Sequence, residues 1–263
     1  MPDIIVHTSF GEKAAERLGL DVDCDIFHFG LLGPDPYLFY RFYVPPFRNR
    51  VNRYASVMHS VRTGDFLTEL ARRAKGSREM FAYLAGFLCH YALDAGTHPY
   101  IFRKAKNSGA MHMAIEHRLD NLDGGRIRIP PFLPESMQDG VGGAIRTVYG
   151  WDDAWQKLRQ GYRDMIRFYR IAEDKNGRLD AFARKTHSKL ALISYRSKAI
   201  EGMDLRGFEP LYRRAMDDAV RYIGAAQAFV AGETDEERLR EVIGSRSYLN
   251  GRDSRGVTDG AQP

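Results

Sequence analysis

The chain holds eight histidines: His7, His28, His59, His90, His98, His112, His117 and His187. Two of them have a carboxylate four residues downstream, His90 with Asp94 and His112 with Glu116. On a helix, residues i and i+4 share a face about 5–6 Å apart, so each pair is placed to grip one divalent ion. The first pair lies in Phe87-Leu88-Cys89-His90-Tyr91-Ala92-Leu93-Asp94, the most apolar stretch of the sequence. Burying an ionised carboxylate there costs several kcal/mol unless a cation or a hydrogen-bond network compensates it. A metal would supply that compensation, with His98 four residues further along the same face. A buried His–Asp hydrogen bond without an ion is the other reading.

Several familiar chemistries are excluded by what is missing. No histidine is followed by aspartate, which a His-Asp phosphohydrolase requires, and none has glutamate three residues before it, as in ferritin-like di-iron proteins. There is no Gly-x-x-x-x-Gly-Lys phosphate loop and no Gly-x-Ser-x-Gly elbow.

The elements that must carry these residues read as helices. Thr8 caps a short helix over Gly11–Leu18, ended by Gly19. Residues 21–50 read as irregular and aromatic-rich, broken by glycines and prolines. Three-to-four spacing returns over 51–74, and Ser77 with Glu79 opens a helix running to about Ala95 or beyond, with Gly96 as its weak point. Further helical patterns cover 109–122, 151–173, 177–199, 207–230 and 234–243. No alternating strand pattern appears. The expectation is one all-α domain over residues 1–249, followed by a polar, glycine-rich tail at 250–263 that frays.

A chain of 263 residues with 44% hydrophobic and 28% charged side chains is globular in composition. Cys24 and Cys89 are its only cysteines, too few for a disulfide framework and suited to a reducing compartment. Met1–Thr8 contain neither a basic nor an apolar signal region. The uncharged run Met80–Leu93 falls short of the ~20 residues of a membrane span. A cytoplasmic location is expected. The net charge of +5 is concentrated in residues 142–230, where 17 basic side chains face 11 acidic ones. Such a field attracts anionic lipid or nucleic acid over about 8 Å, although a solvated helical surface is the plainer explanation.

The ordered set His7, Gly33-Pro34-Asp35-Pro36, Met58-His59, His90-Tyr91-Ala92-Leu93-Asp94-Ala95-Gly96-Thr97-His98-Pro99 and His112-Met113-Ala114-Ile115-Glu116 resembles the zinc-dependent phospholipases C. The secreted single-strand nucleases are distant relatives of that family. The resemblance spans about residues 7–120 and implies a multi-helix domain with a metal cluster between its helices. It implies that Asp35, His59, His90 and Asp94 hold one zinc ion and that His98, His112 and Glu116 hold a second. A third position would use His7 and a bridging Asp94. In the secreted enzymes a processed amino-terminal tryptophan completes that third site, whereas here six residues precede His7, with Asp3 as a possible substitute. His28, His117 and His187 lie off this map. His117 is turned about 100° from Glu116 and is expected at the surface or beside the ligands.

The implied activity is zinc-dependent phosphodiester hydrolysis, with Asp35 as ligand, as the base that orients the attacking water, or both. A phospholipid or other phosphoester is the expected substrate, with peripheral contact to an anionic membrane. Tyr37-Leu38-Phe39-Tyr40, Phe42 and Tyr43 would form either an apolar wall for it or simply core. The position of the family's choline-binding aromatic is Ser56, which argues against phosphatidylcholine. The alternatives are a zinc nuclease or nucleotidase on nucleic acid, and a non-catalytic member that binds metal or lipid without turnover.

Overall fold

The fold is built around one long helix. In the computed structural model, which describes residues 4–21, 24–45, 49–106, 108–125, 127–128, 130–186, 194–196 and 202–255, the Ser77 hydroxyl accepts the Met80 N–H and caps a 28-residue helix, Arg78–Ala105. Nearly every residue from Met80 to Ile101 is buried, because other helices pack around its whole circumference. The expected weak point, Gly96, does not end the helix. It lets Ala215 of another helix approach instead. Pro99 also lies inside the helix and leaves the Ala95 carbonyl without its helical donor.

In chain order the helices are α1 (Ile4–Leu18), α2 (Cys24–Leu31), α3 (Pro36–Phe39), α4 (Asn52–Ser60), α5 (Thr63–Ala74), the central α6 (Arg78–Ala105), α7 (Gly109–Asp123), α8 (Gly143–Tyr149), α9 (Ala154–Ala172), α10 (Arg178–Lys185), α11 (Glu209–Ala231) and α12 (Glu236–Ile243). Among the described residues there is no strand, only an isolated bridge between Arg246 and Asp253. The all-α expectation holds. No described helix is long and apolar enough to cross a membrane.

Several boundaries differ from the sequence reading. The segment expected to be irregular, 21–50, contains α2 and α3. α2 crosses α6 where Gly30 meets Gly86, and a Cβ on either glycine would strike the other helix's backbone at 2.1 Å. The single pattern over 51–74 is two helices, broken at Arg62, whose φ of 51° is left-handed. α1 begins at Ile4, before Thr8. α8 lies between the expected helices 109–122 and 151–173, where the sequence reading placed none. Of the expected 177–199 helix, α10 covers the first part, while His187 lies outside the described residues.

Residues 245–255, the start of the expected tail included, fold back onto the domain. The hydroxyls of Thr63, Ser245 and Ser254 bond one another at 2.9–3.2 Å, all buried. Ser247 exchanges main-chain bonds with Arg252 and Gly251, and Gly251 sits over the Ala95 carbonyl that Pro99 leaves open.

Candidate metal centre

The face of α6 that presents His90, Asp94 and His98 at four-residue spacing is the floor of the site. Around it stand His7 from α1, Asp35 from the turn before α3, His59 from α4, and His112 with Glu116 from α7. All eight residues singled out in the sequence converge there. Gly33 explains how Asp35 reaches His90. With φ of +53° it turns the chain tightly, and a Cβ would lie 2.3 Å from the His90 ring. Pro36 at the start of α3 then holds the residue rigidly.

Asp94 is fully buried and central. Its oxygens lie 3.1 Å from His90 Nε2, 3.3 Å from His7 Nε2, 3.7 Å from His59 Nε2 and 3.8 Å from His98 Nδ1. Asp35 Oδ1 is 3.2 Å from His59 Nε2 and 3.8 Å from His90 Nε2. A second group sits beside it, with Glu116 Oε1 2.6 Å from His112 Nε2 and 3.7 Å from His98 Nε2. Three triads bring ligand atoms within 4.8 Å of one another: His7–Asp35–His90, His59–His90–Asp94 and His98–His112–Glu116. The last matches the expected second set. His7 groups with Asp35 and His90 as well as lying near Asp94.

The hydrogen bonds decide what this cluster can hold. His59 Nδ1 donates to the Ala55 carbonyl at 2.7 Å, His90 Nδ1 to Leu31 at 3.1 Å, and His98 Nδ1 to Tyr248 at 2.9 Å. A carbonyl only accepts, so each proton sits on Nδ1 and each Nε2 turns a lone pair inward. Those lone pairs face carboxylate oxygens, which also only accept. His59, His90 and His98 Nε2, Asp35 Oδ1 and both Asp94 oxygens are buried without a well-formed hydrogen bond. Such an arrangement of acceptors is repulsive without a cation and fits one well. Imidazoles oriented by backbone carbonyls, together with carboxylates, suit zinc.

In the metal-free protein the surroundings favour the neutral form of His7, His98 and His112, but not of His90. Burial pushes His98 well below its ordinary value and His112 down to about 3. Burial and the neighbouring His90 lower His7, with Asp94 opposing. Burial alone would raise Asp94, but the surrounding His98, His90 and His7 hold it well below the carboxylate range. Burial would lower His90, yet Asp94 and Asp35 raise it.

Two contributors were not legible in the sequence. Tyr248 packs its ring against His59 and His90, its N–H donates to the His59 carbonyl, and its own carbonyl orients His98. Asp120, four residues beyond Glu116 on α7, accepts the Ile5 and Val6 N–H groups at 3.2 and 2.9 Å and fixes the start of α1. The spacing of His112, Glu116 and Asp120 was the available signal for it. Of the two places expected for His117, the structure gives the one beside the ligands: it is buried, borders the same cavity as Glu116, and stacks on Tyr195 with centroids 4.2 Å apart. His28 is buried against Glu12, away from the cluster.

A cavity of about 640 Å³ opens beside the cluster, with His59, His98, His112 and Glu116 on one wall. Its remaining walls are largely apolar, with Leu38, Phe39, Phe42, Phe102, Phe168 and Leu179 prominent. The aromatic segment thus divides. Tyr37 is core, Leu38, Phe39 and Phe42 line the cavity, and Tyr43 is exposed.

The sequence profile described as "Zinc dependent phospholipase C" matches residues 6–197, which include all eight cluster residues. Searches among curated proteins and among solved structures return no significant match.

Proposed function

The chain belongs to the zinc-dependent phospholipase C family, and on that footing we propose that it hydrolyses the phosphodiester of an amphiphilic substrate, a phospholipid or a close analogue. The observation that carries the proposal is the junction of a buried His/Asp/Glu cluster, in which His59, His90 and His98 turn lone pairs toward carboxylates, with an apolar cavity. A cluster alone would serve any phosphate ester, whereas a cavity of this size and lining suits acyl chains. Nucleotide bases would also stack on its aromatics, so nucleic acid is kept as an arm of the test.

We assign His59, His90, Asp35 and Asp94 to one zinc position and His98, His112 and Glu116 to another, with His7 contributing to a third together with Asp35, His90 or Asp94. Zinc held there would draw charge from the phosphate oxygens and bring the pKa of water toward 7. Asp94, with no exposed surface, balances the charge of the cluster. Asp35 retains 8% of its side-chain surface and is the carboxylate we assign to orient the attacking water. Glu116 is the second candidate for that role, because it lines the cavity directly and Asp35 does not. The apolar walls exclude bulk water from the ester. Ser56 lines the cavity where the family carries a choline-binding aromatic. Without that ring, cation–π attraction to a quaternary ammonium is lost at this position, so a headgroup other than choline is favoured. The free, buried Cys89 and the scarcity of cysteine suit a cytoplasmic setting.

The test is turnover of a p-nitrophenyl phosphodiester, phosphatidylglycerol, phosphatidylcholine and single-stranded DNA by zinc-loaded protein. Hydrolysis of lipid above DNA supports the proposal; DNA cleavage without lipid turnover would replace it with the nuclease reading. Asp35→Asn and Glu116→Gln compared at full metal occupancy separate the two candidate bases.

A further inference from the structure

The mouth of the cavity is bordered by α9 and α10, which contribute Phe168, Tyr169 and Ile171 and then Leu179 to its lining. The outer faces of these helices carry a shared pattern. On α9, Arg163, Arg167 and Ile171 follow at four-residue spacing with Arg170 beside them, so they form one stripe. On α10, Arg178, Phe182 and Lys185 follow at four- and then three-residue spacing, which also keeps them on one face. Ile171 is 52% and Phe182 56% exposed, two of the few large apolar side chains left open to solvent. The exposed aromatic Tyr43 packs edge-on against Phe42, which packs against Phe168, so it continues the same apolar border.

The charges on this border are mostly uncommitted. Arg167 is taken by the buried Asp164 at 3.0 Å and Lys175 by Glu173 at 3.4 Å. Asp174 spends its carboxylate on the Leu179 and Asp180 N–H groups. Arg163, Arg170, Arg178 and Lys185 make no ion pair with any described residue, and all four are exposed. Open apolar side chains flanked by exposed cations on amphipathic helices match the chemistry of an anionic bilayer surface, where the apolar groups enter the headgroup boundary and the cations meet lipid phosphates.

We infer that the α9–α10 border, with Ile171 and Phe182 at its centre, seats the protein on an anionic lipid surface and turns the cavity mouth toward the lipid. The inference rests on the proposed action on an amphiphile and specifies how that substrate is reached. It draws on four of the 17 basic side chains of residues 142–230.

The experiment is co-sedimentation of the full-length protein with vesicles of phosphatidylcholine alone and of phosphatidylcholine mixed equally with phosphatidylglycerol. Binding is expected to the mixed vesicles only and to weaken as ionic strength rises from about 0.01 to 0.15 M. Neutralising two cations, Arg170→Gln with Arg178→Gln, is expected to weaken partition about thirtyfold. Phe182→Ser is expected to weaken it at both salt concentrations. Soluble aryl phosphodiester turnover, measured on the same variants, should not change. Wild-type affinity in both variants, or equal binding to neutral vesicles, would overturn the inference. So would a stable dimer in gel filtration that Phe182→Ser dissociates, since a second copy would then cover this face. Vesicle binding with no turnover of any ester would sink the hydrolase reading and leave the docking surface standing; turnover without vesicle binding would do the reverse.

Discussion

Asp120 accepts the Val6 N–H at 2.9 Å, and so ties the helix that carries Glu116 and His112 to the first turn of the helix that carries His7. The carboxylate also takes the Ile5 N–H and the Tyr195 hydroxyl. It anchors α1 from within the fold, one residue before the ligand.

Asp120→Ala should therefore act on stability and on His7 together. It leaves two buried N–H groups without their acceptor, at a cost of about 1–3 kcal/mol each. The melting temperature should fall by roughly 2–4 °C per kcal/mol for a chain of this size. Metal content should fall as it does in His7→Ala, with the His98–His112–Glu116 group still loaded. Thermal melts with metal analysis of both variants test this; an Asp120→Ala protein with wild-type stability would contradict it.

Asp94→Asn should damage metal binding more than Asp35→Asn. Asp94 approaches four histidines and has no exposed surface, whereas Asp35 approaches two and sits at the edge. Removing the Asp94 charge leaves the cluster without its central counter-charge. Equilibrium dialysis against zinc should give markedly lower occupancy for Asp94→Asn, while Asp35→Asn keeps most of its metal and loses turnover. Wild-type phosphodiesterase rates in Asp35→Asn would shift the water-orienting role to Glu116.

His90, Asp94, His98, His112 and Glu116 were legible because i, i+4 spacing fixes which side chains share a face and an acid inside an apolar helix demands a partner. His7, Asp35 and His59 were reached only through the family resemblance. The all-α class followed from periodicity in the same way. Tyr248 and Asp120 escaped notice because each acts through the main chain across more than a hundred residues, as donor, acceptor or anchor, and no local spacing encodes that. α2 and α3 were hidden by glycines and prolines that here permit close helix crossing and a tight turn. The aromatic cluster could not be divided into core and wall without knowing where α9 packs.

In metal-stripped protein, stability should fall on mild acidification. His98 and His112 stay neutral when folded, His112 down to about pH 3, but bind a proton near pH 6.5 when unfolded. The folded state therefore binds fewer protons below pH 6.5, and the stability present above that value is lost as pH drops toward 3. The depressed Asp94 carboxyl adds a further loss in the acid range below about pH 4. His90, raised, acts in the opposite sense, stabilising below pH 6.5 and losing that effect as pH rises through its folded value, but it stands alone against His7, His98 and His112. The urea midpoint of chelator-treated protein should be lower at about pH 5 than at about pH 8. A higher midpoint at pH 5 would show that the His90 contribution dominates.

Cys89 should be chemically silent in the native state. It is fully buried, and burial pushes its thiol far above the ordinary value, leaving negligible thiolate at neutral pH. Iodoacetamide followed by peptide mass analysis should find it unmodified until denaturant is added. Rapid native labelling would mean that the central helix opens far more readily than its packing implies.

The central claim is that this cluster is a metal site. Emission analysis of protein purified without chelator and then equilibrated with zinc tests it most directly. At least two zinc ions per chain are expected from the three ligand triads, falling to about one in Asp94→Asn, where the His98–His112–Glu116 group keeps its ion. Fewer than one ion per chain in the correctly folded wild-type protein would contradict the account.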